Sequence, residues 1–366
     1  MRLFENVLLL MLDGVALGCI YALIALGYTM VYGIIKLINF AHGEFFMIGG
    51  YAALGVLAVM PAAGDVGAAG AVAEVLVAMS VGGGAAAVLA VAVEKLAYKP
   101  LRQATRIAAL LTALGVSLFL QNAAQKAFSP NTKAFPIPVA DRRYPRIGIG
   151  SQEILAGKRP GVDIYSTGEA GEEVFLGVTE GSVTDRDIVL KVPQAGTKTA
   201  QLYYYPQVTV RRKQLIIWAS AVLMTLGLHV LVKYTKMGKA MRAVSYDFEA
   251  AELMGINVNR VISFTFFVGA ILAGAAAVLV GMYYGSIKPT MGVMYGLKAF
   301  VAAVLGGIGS IPGALAGSLV LGIAESLVKL SSHTAPYQDA FAFAVLVLIL
   351  VFLPNGFFGR EERERV

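Results

Sequence analysis

"VLLLMLDGVALGCIYALIALGYTMVY" (residues 7–32) holds one formal charge, Asp13, in an otherwise apolar run. About 20 such residues cross the hydrocarbon core of a bilayer as a helix. "ALGC" (Ala16–Cys19) within the run faintly resembles a lipoprotein cleavage site, but the apolar stretch continues to Met30, too long for the core of a signal peptide. The run therefore reads as a retained first membrane helix. Similar blocks recur at 41–60, 68–93, 107–128, 214–232, 261–284, 296–330 and 339–353. They are continuously apolar, not alternating, so helices are the spanning form.

Composition agrees. The chain of 366 residues is 57% hydrophobic and 14% charged, where a water-soluble protein carries about a quarter charged residues. The block at 296–330 is too long for one simple span, and "GGIGSIPGALAG" (306–317) interrupts it. It is a broken helix, a re-entrant loop plus a span, or two short spans. The expected fold is an all-α polytopic membrane protein with 8–9 transmembrane helices and a small β-rich extracytoplasmic insert.

Four stretches follow: N-terminal helices 1–128, the insert 129–212, C-terminal helices 213–353 with a cytoplasmic loop at 233–260, and a cytoplasmic tail 354–366. Charges crowd the insert (Arg142, Arg143, Arg146, Glu172, Glu173, Asp185, Arg186, Asp187), and turn signals separate short strand-like runs such as "EEVFLGV" and "AQLYYYPQVTV". An irregular loop is the competing reading.

The net charge of +7 has no aromatic-laced basic patch behind it, so a nucleic-acid partner is not expected. The cations sit in short loops instead: Lys95, Lys99, Arg102 and Arg106 in 94–106, and Lys233, Lys236, Lys239 and Arg242 in 233–242. Arg360, Arg363 and Arg365 are in the tail. Cytoplasmic loops carry such an excess. All three face the cytoplasm only if the N-terminus is outside and the 296–330 block passes twice or re-enters.

One cysteine and three scattered histidines leave no disulfide and no metal-ligand spacing. "MGKAM" and "AGTKT" both fail the phosphate-binding P-loop pattern, and no G-x-S-x-G or H-E-x-x-H occurs. No catalytic residue, metal or cofactor is expected in this chain.

Three groups of residues carry the functional expectations. In "SYDFEAAELMGINVNRVISF" (245–264), helix formers around Phe248, Glu249, Ala250, Ala251 and Glu252 end at Gly255, with a second start at Asn257. A short capped helix between spans suits docking on a cytosolic partner through an Ala-rich face; a solvated connector is the plainer reading. Gly309, Gly313 and Gly317 recur every four residues, with Gly322 nearby, as do Gly14 and Gly18 in the first helix. Small residues at this spacing let helices approach closely. Alternatively, Gly306 and Pro312 break a helix at depth and line a passage.

The third group is polar. Asp13 and Glu325 lie deep in spans, where an ionisable side chain signals a partner or a wet route. Glu94 and Lys298 read as span-end residues that snorkel. Asn39 is expected to cap a helix starting near Ala41, Glu44 to complement its dipole, and His42 to lie beside them at the cytoplasmic mouth.

At this point the chain resembles a family. "LGCIYALIALGYTMVYGIIKLINFAHGEFFMIGGYAAL" (17–54) is similar to the signature of permeases from branched-chain amino acid ABC transporters, the LivH type. "YKPLRQATRIAALLTALGVSLFLQN" (98–122), "RAVSYDFEAAELMGINVNRVISFTFFVGAILAGAAAVLVGMYYGSIKP" (242–289) and "GLKAFVAAVLGGIGSIPGALAGSLVLGIAESL" (296–327) resemble further family blocks in the same order. The resemblance implies a bacterial inner-membrane permease paired with a homologous second permease, two cytosolic ATPase subunits that use ATP, and an extracytoplasmic solute-binding protein. The "EAAELMG" loop is then the coupling helix, and mechanism is alternating access. A family member carrying urea or short amides keeps the same mechanism; a stand-alone secondary transporter is the alternative of a different energetic class. Two features depart from the family: the insert is longer than its usual external segment, and Asp13 stands where Asn is expected.

Overall fold

The computed structural model describes residues 2–60, 68–101, 104–136, 207–331, 333–353 and 356–358, with strands inside 143–204. Helix α1 (Arg2–Ile35) runs unbroken through Ala16–Cys19. It is followed by α2 (His42–Leu57), α3 (Ala68–Val93), a π-helical turn at Glu94–Tyr98, and α4 (Arg106–Phe128). Strand β1 (Lys133–Ala134) leads into β2 (Arg143–Gly148), β3 (Gln152–Leu155), β4 (Gly161–Thr167), β5 (Glu173–Glu180), β6 (Val189–Leu190), β7 (Gln201–Tyr204) and β8 (Gln207–Arg211). Then come α5 (Arg212–Tyr234), α6 (Lys236–Tyr246), α7 (Phe248–Leu253), α8 (Val258–Tyr284), β9 (Ser286–Ile287), α9 (Met291–Gly306), α10 (Ile311–Val328) and α11 (Gln338–Phe352).

The chain divides into two compact units. Residues 1–9 and 143–210 form one, in which β3 pairs antiparallel with β7, β7 with β6, and β4 with β5. Of the insert's charged residues, Arg142, Glu172, Asp185, Arg186 and Asp187 lie outside the described residues, as do Arg102 and the tail arginines.

Residues 10–142 and 211–366 form the other unit. The N-terminal and C-terminal helices are therefore not separate bodies, because their small residues interlock. Among the described residues, seven helices are long and apolar enough to cross a membrane. Helices α2 and α9, each of 16 residues, are about 24 Å long at 1.5 Å per residue, short of a hydrocarbon core roughly 30 Å thick. The chain is an all-α polytopic membrane protein.

Helix α8 is the centre of this unit, buried on every side from Val261 to Met282 apart from a few positions. Glycine makes that possible. A methyl on Gly274 of α8 would meet the Gly82 carbonyl of α3 at 2.4 Å, and one on Gly49 of α2 would meet the Gly274 Cα at 2.6 Å. Three backbones thus meet with no side chain between them, the arrangement by which helices pack in lipid. The sequence reading missed this junction because Gly49, Gly82 and Gly274 have no repeat spacing within one segment.

The 296–330 block is a hairpin. Helix α9 stops at Gly307 (φ +97), Gly309 (φ +95) turns the chain, and Ser310 caps α10 by accepting the Gly313 N–H. Pro312 sits in the first turn of α10, where its missing N–H is harmless; it starts a helix and does not break one. The expected stripe is also shorter: Gly309 is in the turn, so only Gly313 and Gly317 face α9. Their methyls would meet the Gly306 carbonyl at 2.2 Å and the Ala302 carbonyl at 2.3 Å. Gly322 lies instead against Gly18 and Gly14 of α1.

Hydrogen bonds sort the connections into two ends. At one, the Tyr98 hydroxyl donates to Asn39 Oδ1 at 2.8 Å and the Ser263 hydroxyl to Glu94 Oε2 at 2.6 Å. This joins the α1–α2 turn, the end of α3 and the start of α8. At the other end β1 pairs with β9, and Lys213 donates to the Tyr283 carbonyl at 3.2 Å. Lys95, Lys99, Lys233, Lys236 and Lys239 all belong to connections at the first end.

Candidate functional site

Two places concentrate chemistry within the helical unit. The first is the connection between α5 and α8. The Thr235 hydroxyl caps α6 through the Gly238 N–H, Asp247 caps α7 through the Ala250 N–H, and Asn257 caps α8 through the Arg260 N–H, at 3.0 Å each. Helix α7 ends as its glycine predicts. Gly255 has φ +80 and donates to the Glu252 carbonyl, while Ile256 donates to the Ala251 carbonyl. An L residue is strained at that φ, glycine is not.

The expected Ala-rich docking face needs correction. Ala251 is buried against the protein, whereas Leu253 and Met254 are 89% and 83% exposed and Tyr246 and Phe248 are also exposed. Six residues make less than two helical turns, so the one alanine that points inward fixes the rest outward. The free face is apolar and large, edged by exposed Glu249 and Glu252. Helix α6 was not foreseen as a separate element. It buries Gly238, Met241 and Val244 and exposes Lys236, Lys239 and Arg242, a two-sided pattern at helical spacing.

The second place is a buried polar cluster. Lys298 in the middle of α9 lies 2.6 Å from Glu325 Oε1 of α10 and 2.5 Å from Asp339 Oδ1 of α11. The Tyr21 hydroxyl of α1 donates to the other Glu325 oxygen at 2.7 Å. Lys298 does not snorkel, contrary to expectation. The stop at Gly307 puts it half-way along α9, and its ammonium is held by two carboxylates, one in the last turn of α10 and one in the first turn of α11. Glu94 is likewise buried and bonded to Ser263, not turned to a headgroup. Lys329, just past α10, is within electrostatic reach of Glu325, Asp13, Lys298 and Asp339; burial lowers its pKa below the ordinary lysine range.

Asp13 has a partner of its own. Gln214 Nε2 donates to it at 2.6 Å, and Gln214 Oε1 accepts the Arg211 N–H at 2.7 Å, tying α1 to the first turn of α5. Asp13 and Glu325 share Lys329 as a neighbour but make no direct pair.

The trio Asn39, His42 and Glu44 separates. Asn39 is not the helix cap: its Oδ1 accepts the Ala41 N–H at 3.1 Å and the Tyr98 hydroxyl, so it stabilises the turn ahead of α2. His42 is buried with its ring 4.6 Å from Tyr28, against Gly27 of α1. It packs between α1 and α2. Glu44 is in the first turn of α2 as expected, fully buried, and accepts the Ser117 hydroxyl of α4 at 3.2 Å.

Tyr21, Gln214 and Asp339 were missed, and Lys298 was read as a span-end residue. Lys298 carried the clearest signal: a lone cation in "GLKAFVAAVL" (296–305) with no polar flank needs a counter-charge from another segment. Asp339 stood at a block edge and gave none.

Comparison with known proteins places this architecture. The family described as branched-chain amino acid transport system / permease component matches residues 10–350. The chain is 38% identical over 361 residues to the Escherichia coli K12 high-affinity branched-chain amino acid transport system permease protein LivH, covering 97% of this chain and 96% of that one. It is 36% identical to BraD of Pseudomonas aeruginosa, a permease protein of the same description, with 97% of each covered. A ribose import permease protein, RbsC of Haemophilus influenzae, is 32% identical over 145 residues, 38% of this chain and 44% of that one. No solved structure matches. The chain belongs to the family of permease components of branched-chain amino acid transport systems.

Proposed function

We propose that this chain is a membrane-spanning subunit of an ABC importer for branched-chain amino acids. It works beside a homologous second permease, two cytosolic ATPases that use ATP, and an external solute-binding protein. In this reading it lies in a bacterial inner membrane with its N-terminus outside and its C-terminus in the cytoplasm. The chain itself binds no cofactor and catalyses no reaction.

Beyond family membership, the observation that carries this reading is α7. A six-residue helix capped at both ends presents Phe248, Leu253 and Met254 to solvent, and such a face is suited to a groove on a partner. ATP-driven closure of the ATPases then moves α7 as a rigid piece. The motion enters the bundle through α8, whose first turns carry Ser263 against Glu94, and the glycine contacts let helices slide and tilt. The basic connections on the α7 side favour a cytoplasmic location for it.

The test is uptake into proteoliposomes. Labelled leucine should accumulate only with ATPases, ATP and binding protein all present. Gradient-driven uptake by the chain alone would overturn the ABC reading. Uptake of urea in place of leucine would move the cargo to short amides.

A further inference from the structure

Lys298 holds two carboxylates at once, and the two differ. Glu325 is fully buried and has both oxygens engaged, one by Lys298 and one by Tyr21. Asp339 is 44% exposed and stands in the first turn of α11. Helix α10 is tied to α1 by the Tyr21–Glu325 hydrogen bond. Helix α11 is exposed along most of its length and is entered through a short turn at Ala335–Tyr337. Asp339 is thus the partner that can withdraw.

Ion pairs among membrane helices are expensive, and apolar side chains of the same volume hold helices together as well. Packing alone does not account for this one. We propose that the Lys298–Asp339 contact is an insertion site for a zwitterionic α-amino acid, with its carboxylate on Lys298 and its ammonium on Asp339.

The exchange conserves charge: one ion pair becomes two, and no charge is left without an opposite neighbour. Glu325 and Tyr21 keep Lys298 in place throughout. An anion alone would strand Asp339, a cation alone would replace the Asp339 contact while gaining nothing from Lys298, which stays with Glu325, and an uncharged amide offers neither half. Tyr284 and Tyr295, with ring centroids 5.9 Å apart, are within electrostatic reach of Glu325 and Asp339. This inference rests on the amino-acid permease reading and deepens it. The chain recognises the head group common to amino acids and leaves the side chain to the external protein.

The test uses the complete reconstituted importer in a Cys19→Ser background, with Gln338→Cys beside Asp339 as a maleimide reporter. Millimolar leucine should slow modification severalfold, while its amide, its α-keto acid and urea should not. Asp339→Asn should abolish the protection and lower leucine uptake about tenfold or more, the loss expected for one partner of a charge pair. The double variant Lys298→Met/Glu325→Gln should behave alike. Protection that survives Asp339→Asn, equal protection by the amide or keto acid, or none by leucine in an importer that takes leucine up would overturn the site alone. A wild-type importer that carries urea but no leucine would overturn the permease reading first, and this site with it.

Discussion

The Glu94 carboxylate accepts the Ser263 hydroxyl at 2.6 Å, tying the end of α3 to the second turn of α8, just beyond the capped helix α7. Both residues lie where movement of α7 would enter the bundle. Ser263→Ala removes a donor from a buried carboxylate, a loss of about 1–3 kcal/mol. Thermal unfolding in detergent should register it, and uptake should fall more than ATP hydrolysis. An unchanged melting profile would show that the bond is incidental.

Gly255 is strained for any other residue and has open space around it. Gly255→Ala should therefore be destabilising by about 1–2 kcal/mol through backbone conformation alone. Gly255→Pro adds loss of the N–H that bonds the Glu252 carbonyl. It should leave membrane insertion intact while uptake collapses and ATP hydrolysis by the companion subunits persists. Glu249→Arg, which reverses charge at the edge of the exposed face, should act in the same direction. Wild-type transport by both variants would remove the coupling assignment.

Gly313 and Gly227 make a paired test of where glycine is needed. A methyl on Gly313 would lie 2.2 Å from the Gly306 carbonyl, whereas nothing lies within 4 Å of one on Gly227. Gly313→Leu should prevent the hairpin from closing and lower the yield of folded protein. Gly227→Ala should instead stabilise α5 by about 0.5–1 kcal/mol. Equal behaviour of the two would mean that Gly313 faces lipid. Detergent-solubilised yield and size-exclusion profiles read the difference.

Lys298→Met strands Glu325 among apolar neighbours and should be destabilising by about 3–5 kcal/mol. Lys298→Met/Glu325→Gln removes both charges and should recover most of that loss, the non-additivity expected for direct partners. Melting temperatures of wild type, both single variants (Lys298→Met and Glu325→Gln) and the double variant complete the cycle. Strict additivity would mean that the pair contributes nothing as a pair.

Some elements were legible because their cause is local. Gly255 stops α7 and Asn257 starts α8 by backbone conformation and a side-chain cap, both properties of a few consecutive residues. The break at 306–312 was legible for the same reason. The reading failed where the cause lay across the fold. Asn39 has the chemistry of a helix cap but is claimed by Tyr98, 59 residues away. Lys298 looked like a snorkelling residue until the turn at Gly307 placed it mid-helix, beside Glu325 and Asp339. The alanines of α7 looked like a contact face until packing turned Ala251 inward.

By itself, the sequence determined that this chain lives in lipid and where its apolar helices run. Burying apolar runs and satisfying backbone groups are demands each segment meets alone. Which helices touch, and so which charges meet, was decided only in three dimensions. Glycine contacts such as Gly49–Gly274 and Gly18–Gly322 are set by complementary surfaces on distant segments, and a charge in lipid takes whichever partner that packing delivers.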